Sequence, residues 1–208
     1  MTAPSAAATG DGPGGYQAAA RHLLRDMLLD AALRQLAERS WGEITMADVA
    51  AAAGVSRQTL YSEFGSRAQF AQACIAREGE RFLDAAQRTI DAHRDDPRAA
   101  LTYAFADFLT AAGRHPLVRA LVAPEGEALL SLVTTRGGPF VAGVAERLAA
   151  ILAAAWPRLG PRDARALADC LVRLAISHAA LPLAPPRRTA VSVAALLAPS
   201  LEAMLDGG

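Results

Sequence analysis

One stretch constrains this chain more than any other: TMADVAAAAGVSRQTLYSEF, Thr45 to Phe64. Thr45 followed by Asp48 has the spacing of a capping box, and Ile44 and Val49 flank it as a hydrophobic staple would. A helix therefore starts at Met46 and runs to Ala53. Gly54 stops it, because glycine takes turns that a β-carbon obstructs. Ser56 then caps a second short helix, which ends near Phe64 where Gly65 turns the chain. The alanine run has a steric meaning. Two helices that cross closely need small residues between them, and Ala50 and Ala53 leave room for Leu60 and Phe64. The product is a helix-turn-helix.

The rest of the chain reads as helix as well. Its 208 residues are 52% hydrophobic but only 5% aromatic, and the excess is alanine and leucine, which lose little on entering a helix. A first helix is expected over Tyr16–Arg39, with Leu24, Met27, Leu28 and Ala31 as its buried stripe. Ser66 caps a fourth that continues to about His93. Proline and glycine then separate helices over Pro97–Ala112, Leu117–Val122, Glu125–Val133, Pro139–Ala155, Arg162–Leu181 and Arg188–Leu205. No stretch alternates long enough to argue a strand. The expectation is an all-α fold of about nine helices. Residues 1–15, small and polar, read as a disordered arm; 16–65 form a helix-turn-helix module and 66–208 a larger helical domain.

The second short helix gathers hydrogen-bonding side chains on its open side. The major groove, roughly 12 Å wide, admits one helix. Arg57 can offer a bidentate fork to guanine and Gln58 one to adenine, while Thr59 suits a thymine methyl or a phosphate. Tyr61 and Ser62 have the reach and chemistry for phosphate oxygens, and the capping Ser56 is a further candidate on the DNA-binding face. Arg67 stands in the first turn of the fourth helix, where free amides also attract phosphate. Thr45 holds the equivalent place before the first short helix.

TMADVAAAAGVSRQTLYSEFGSRAQF resembles the DNA-binding signature of the TetR family of one-component bacterial regulators. The T-x-x-D-V-A spacing, the A-G-V-S turn and the T-L-Y-x-x-F helix occur together and in order. The resemblance covers about Leu24 to Phe70 and implies that residues 66–208 bind a ligand and dimerise. Two departures stand out. Ser62 and Glu63 follow the tyrosine where many members carry an aromatic residue or histidine, and Arg67 replaces a frequent lysine. Arginine there retains a phosphate contact. Glu63 faces a polyanion awkwardly and is expected either to point away or to accept from cytosine.

Charge argues that affinity comes from doubling. All 21 basic residues are arginine, they match 21 acidic ones, and Arg21 to Arg67 holds six of each sign. A single neutral reader binds weakly, since phosphate neutralisation supplies most non-specific affinity. The last two expected helices are the candidate interface of a homodimer, through Leu167, Leu171, Leu174, Val193, Leu196, Leu197, Leu201 and Met204. A two-fold dimer sets its reading helices one DNA turn apart, roughly 34–36 Å, on a palindromic double-stranded operator.

The middle of the chain is expected to cage a small hydrophobic effector, fatty-acid- or lipid-like. The apolar candidates are Leu101, Tyr103, Phe105, Phe108, Leu109, Leu132, Val133, Val144 and Leu148, with Arg136 and His178 to orient a head group. A dry core explains the same periodicity. The alternative within the family is control of drug efflux by a cationic or aromatic compound, which would want acidic residues such as Glu125 and Glu127 near the cage.

An enzyme would need residues this sequence does not advertise: no P-loop, dinucleotide glycine pattern, H-E-x-x-H or G-x-S-x-G occurs. Zero net charge argues against an architectural DNA protein. Cys74 and Cys170 lack metal or redox spacing and read as small buried residues, and His115 has no nearby partner ligand. No metal and no cofactor are expected. The start of the chain is no signal peptide and no uncharged run is long enough to span a membrane, so the expected location is the cytoplasm.

Overall fold

A computed structural model of the protein describes residues 13–207. Residues 1–12, most of the expected arm, lie outside that range. Ten α-helices and a 3-10 turn make up the described residues: α1 (Pro13–Leu36), α2 (Met46–Ala52), α3 (Arg57–Phe64), α4 (Arg67–Ala92), α5 (Pro97–Arg114), α6 (Pro116–Val122), the turn Pro124–Gly126, α7 (Glu127–Leu130), α8 (Gly138–Ala155), α9 (Pro161–Ala180) and α10 (Pro186–Asp206). The fold is all-α. The segment expected over Glu125–Val133 divides into the 3-10 turn and the short α7.

The boundaries follow from local chemistry. Thr45 Oγ1 accepts from Asp48 N, and Asp48 Oδ2 accepts from Thr45 N at 2.8 Å, closing the capping box. Ser56 and Ser66 cap α3 and α4 by accepting from Thr59 N and Gln69 N. Gly54 and Gly65 sit at φ of 70° and 76°, in the left-handed region that glycine enters without steric cost. Asp96 Oδ1 accepts from Ala99 N to start α5, with Pro97 at its first position.

Two hydrophobic clusters share one helix through their buried residues, and Phe140 of α8 and Ile176 of α9 pack against both. The first joins Leu28, Ile44, Val49, Leu60, Phe64 and Phe70 and extends to Leu117, Leu121 and Leu129 of α6 and α7. The second packs α5, α8, α9 and α10 around Leu101, Phe105, Leu148, Leu152, Leu171 and Leu201. α4 enters both: Phe70, Ala71, Cys74 and Ile75 lie in the first, Leu83 and Ile90 in the second. It rises about 39 Å over its length. α8 and α10 are long and apolar enough in composition to cross a membrane, but each packs one stripe against other helices of the same chain.

Candidate nucleic-acid interface and ligand cavity

α3 is held by its inner residues and by α1. Leu60 is fully buried and Phe64 meets the Phe70 ring edge-on, 4.9 Å between centroids. From α1, Arg25 donates to the Glu63 carbonyl at 2.7 Å and lies over the Phe64 ring. Arg21 Nε donates to Glu63 Oε2, also at 2.7 Å. Glu63 therefore points back to α1, resolving the two expectations for it. The pairing also removes a carboxylate from the face that would meet a polyanion.

What remains outward is polar. Ser56, Arg57, Gln58 and Ser62 are exposed, while Thr59 and Tyr61 are half-buried. Among the described residues Gln58 and Ser62 make no side-chain hydrogen bond, and the Arg57 guanidinium rests 5.3 Å from the Tyr61 ring centroid. Ser56 and Thr59 share a hydroxyl contact of 2.8 Å. Thr45 is exposed, and its hydroxyl donates to Asp48 Oδ2.

Arg67 is a correction. Its guanidinium turns inward, donates to the carbonyls of Ile44 and Trp41, and stacks over the Trp41 ring. Those carbonyls end the α1–α2 connection and lack helical donors, and a planar fork satisfies both. The expected phosphate contact gives way to a strut between that connection and α4.

The second site is a cavity of about 180 Å³, in the size range where a hydrocarbon-lined space stays dry and admits an apolar molecule. Of the expected ligand residues, Leu101, Phe105, Phe108, Val133, Val144 and Leu148 line it. The others stand elsewhere. Tyr103 is 44% exposed and stacks on His93. Leu109 is buried off the wall, and Leu132 is half-buried. Arg136 is exposed and donates to Ser131 Oγ. His178 lies edge-on behind Phe105, 6.2 Å between ring centroids.

Half of the wall comes from α4 and α9, expected to be a connector and an interface helix. α4 supplies Ile75, Glu78, Gly79, Phe82, Leu83, Ala86 and Ile90. These residues extend over about 22 Å of helix rise. α6 adds Leu117, Val118, Leu121 and Val122, and α9 adds Leu171, Val172, Ala175, Ile176 and Ala179. Their 3.6-residue spacing is present in the sequence. It does not say which partner the stripe meets.

The expected dimer residues need the matching correction. Leu167, Leu171, Val193 and Leu201 are buried within the chain's own core, and Leu174, Leu197 and Met204 are half-buried against it. α10 lies along α5, so its widest apolar stripe is covered internally. The outward apolar side chains at this end are Leu196, 77% exposed, with Val191, Leu181 and Leu183.

Glu78 is the one charged residue on the cavity wall and is only 4% exposed. Arg77 Nε at 3.0 Å, Arg81 Nη1 at 3.2 Å and His115 Nε2 at 3.2 Å all meet its carboxylate. Burial raises its pKa, but the His115 bond and the charges of Arg81 and Arg77 outweigh burial and hold it below the ordinary carboxylate value. Cys74, close by in the first core, has its thiol pushed up to about 12 by burial. Among the described residues no group of three or more His, Cys, Asp or Glu could hold a metal ion.

A helix-turn-helix with an open polar face, set on a helical domain that encloses an apolar cavity, defines a one-component regulator. Residues 28–74 match the bacterial regulatory proteins of the tetR family, and residues 96–199 match the C-terminal domain of the bacterial tetracycline repressor. The chain is 36% identical over 188 residues to the HTH-type transcriptional regulator AlkX of Mycobacterium tuberculosis, covering 90% of this chain and 89% of that one. It is 37% identical to the crystal structure of the repressor AlkX from a Dietzia species, implicated in biodegradation of n-alkanes. That likeness has a TM-score of 0.79 over 87% of this chain and 96% of the other. A tetR-family regulator of Streptomyces coelicolor shares the fold, with a TM-score of 0.55 at 20% identity over 86% of each chain. The chain belongs to the TetR family of transcriptional regulators.

Proposed function

We propose that the protein is a homodimeric repressor released from a palindromic operator by a hydrophobic effector with a long aliphatic chain. One observation carries this reading: α4 closes the core beneath the reading helix at one end and walls the apolar cavity along the rest. A molecule entering the cavity therefore touches the helix on which the reader rests. The cavity's length along α4 and its almost wholly hydrocarbon wall favour a thin aliphatic chain over a compact polar solute. The AlkX relative implicated in n-alkane biodegradation adds weight to an aliphatic effector.

The cationic-drug reading gains little. Glu125 and Glu127 are exposed, and Glu78 is already surrounded by Arg77, Arg81 and His115. DNA contact is assigned to Arg57 and Gln58 at base edges, with Ser56, Thr59, Tyr61 and Ser62 around them and Thr45 at the start of α2. The dimer is assigned to the outward face of α10 and the α9–α10 connection, through Leu196, Val191 and Leu183.

Release follows if the effector binds the state incompetent for DNA more tightly; a 100-fold preference is worth about 2.7 kcal/mol per site. The test combines selection of bound duplexes from a random pool with native mass spectrometry. A palindromic consensus, a dimer and a lipid-like mass lost on denaturation are expected. A strict monomer at micromolar concentration would overturn the reading, because a near-neutral reader depends on being doubled.

A further inference from the structure

We propose that Glu78 is the positioning residue that couples the cavity to the DNA-binding module, by holding Arg77 and Arg81 against two carboxylates of α1. This rests on the reading of the cavity as the effector site. Glu78 faces the cavity from α4, and the two arginines that meet it reach on to α1. Arg77 Nη1 donates to the Asp26 carbonyl at 3.1 Å and lies 3.8 Å from Asp26 Oδ1, and its Nη2 lies 2.9 Å from Asp30 Oδ1. Arg81 joins the same two ends, reaching Glu78 Oε1 at 3.2 Å and Asp30 Oδ1 at 3.4 Å. Asp26 and Asp30 are four residues apart on α1 and so share one face. One carboxylate on the cavity wall thus orients both arginines that tie α4 to α1.

The cavity reaches this network through aromatic contacts. Phe82 lines the wall beside Glu78 and meets the His115 ring edge-on, 5.4 Å between centroids. His115 precedes α6 as its N-cap, and its Nε2 bonds Glu78 Oε2. Its Nδ1 is buried with no partner, so a single hydrogen bond fixes the ring. A ligand displacing Phe82 presses on a histidine that only Glu78 restrains. The carboxylate then moves relative to Arg77 and Arg81, and α1 follows.

Arg77, Glu78 and Arg81 fall between residues 28–74 and 96–199, the two segments that match the family. The network therefore has its three central residues in the connecting stretch and its outer partners, Asp30 and His115, in the two matched segments.

The experiment measures Glu78→Gln in the full-length dimer, with 1-dodecanol as the probe and the selected duplex as DNA. Glutamine keeps the shape and the acceptor for His115 but removes the charge that orders the arginines. In wild type the probe weakens duplex binding by about tenfold or more, within the usual range of coupling between sites. In Glu78→Gln that weakening, read with the variant saturated with probe, shrinks to about twofold, while probe-free duplex affinity stays within about threefold. Full probe-induced release in the variant overturns the coupling role and leaves the cavity reading intact. A wild type that neither binds the probe nor releases DNA overturns both. Should Glu78→Gln fail to fold by circular dichroism, Asp30→Asn breaks the same link from the partly exposed α1 side, and the same loss of coupling is required.

Discussion

The reader and the cavity handle polar groups in opposite ways. On α3, Arg57, Gln58 and Ser62 are left open to a partner, and the one acidic group that would oppose DNA, Glu63, is drawn back by Arg21 and Arg25. In the cavity the wall is hydrocarbon, and its single charge is enclosed by its own counterions. On the proposed function, recognition at the first site rests on directional hydrogen bonds and at the second on shape and apolar contact. The difference predicts how each tolerates change. A side chain that offers donors outward is irreplaceable for binding and dispensable for folding, whereas a cavity wall is partly dispensable for both.

The largest expected effect breaks the reader. Replacing Arg57 and Gln58 together by alanine should weaken binding of the selected duplex by about 100-fold or more, since each bidentate base contact is worth about 1–3 kcal/mol. Melting temperature should barely move. Fluorescence anisotropy titration alongside thermal unfolding checks both, and unchanged affinity would remove α3 from the interface.

Two phenylalanines sharpen the contrast in packing. Phe70 is fully buried between Trp41 and Phe64, and Phe70→Ala should cost about 3–5 kcal/mol. Phe82 already faces open space, so Phe82→Ala should cost no more than about half as much. Denaturant unfolding of both variants measures the gap. Equal losses would mean that the cavity closes in solution.

A smaller change tests the cap under the reader. Ser56→Ala should cost about 1 kcal/mol of stability and lower operator affinity through fraying of the first turn of α3. Acid titration addresses Glu78. Its folded pKa lies below its unfolded value, so its stabilising contribution is present above about pH 4.3 and is lost as pH falls through the folded pKa. Glu78→Gln should therefore flatten the acid limb of the stability curve, read from denaturant midpoints at successive pH values. The smallest effect is chemical. At pH 8 iodoacetamide should alkylate half-buried Cys170 and spare Cys74, whose thiol stays protonated, as peptide mass mapping would show.

The reader was legible in the sequence because its determinants are local. A capping box, a glycine turn and a staple operate within ten residues, and each appears at its expected position. Arg67 escaped because the carbonyls it satisfies belong to a connection more than twenty residues upstream, and nothing in its own neighbourhood marks them. The cavity was legible only along α5 and α8 and at Val133 between α7 and α8. α4 read as a connector and α9 as an interface helix, since an apolar stripe states that something covers it without naming what. Of the expected dimer residues Leu196 stands outward, while Leu167, Leu171, Val193 and Leu201 are buried for the same reason. Val193 and Leu201 carry the pattern of an exposed interface, but α5 covers them within one chain.

The double membership of α4 also limits how such a regulator can be retargeted. Apart from Phe140 and Ile176, which also pack against the core beneath α3, wall residues on α5, α8 and α9 can be exchanged to admit a different guest without touching that core. On α4, Ile75 and Glu78 sit in the wall while also packing or bonding toward the reader. Variation that changes what the protein senses should therefore accumulate on α5, α8 and α9, and a library built to alter its inducer is best confined to them.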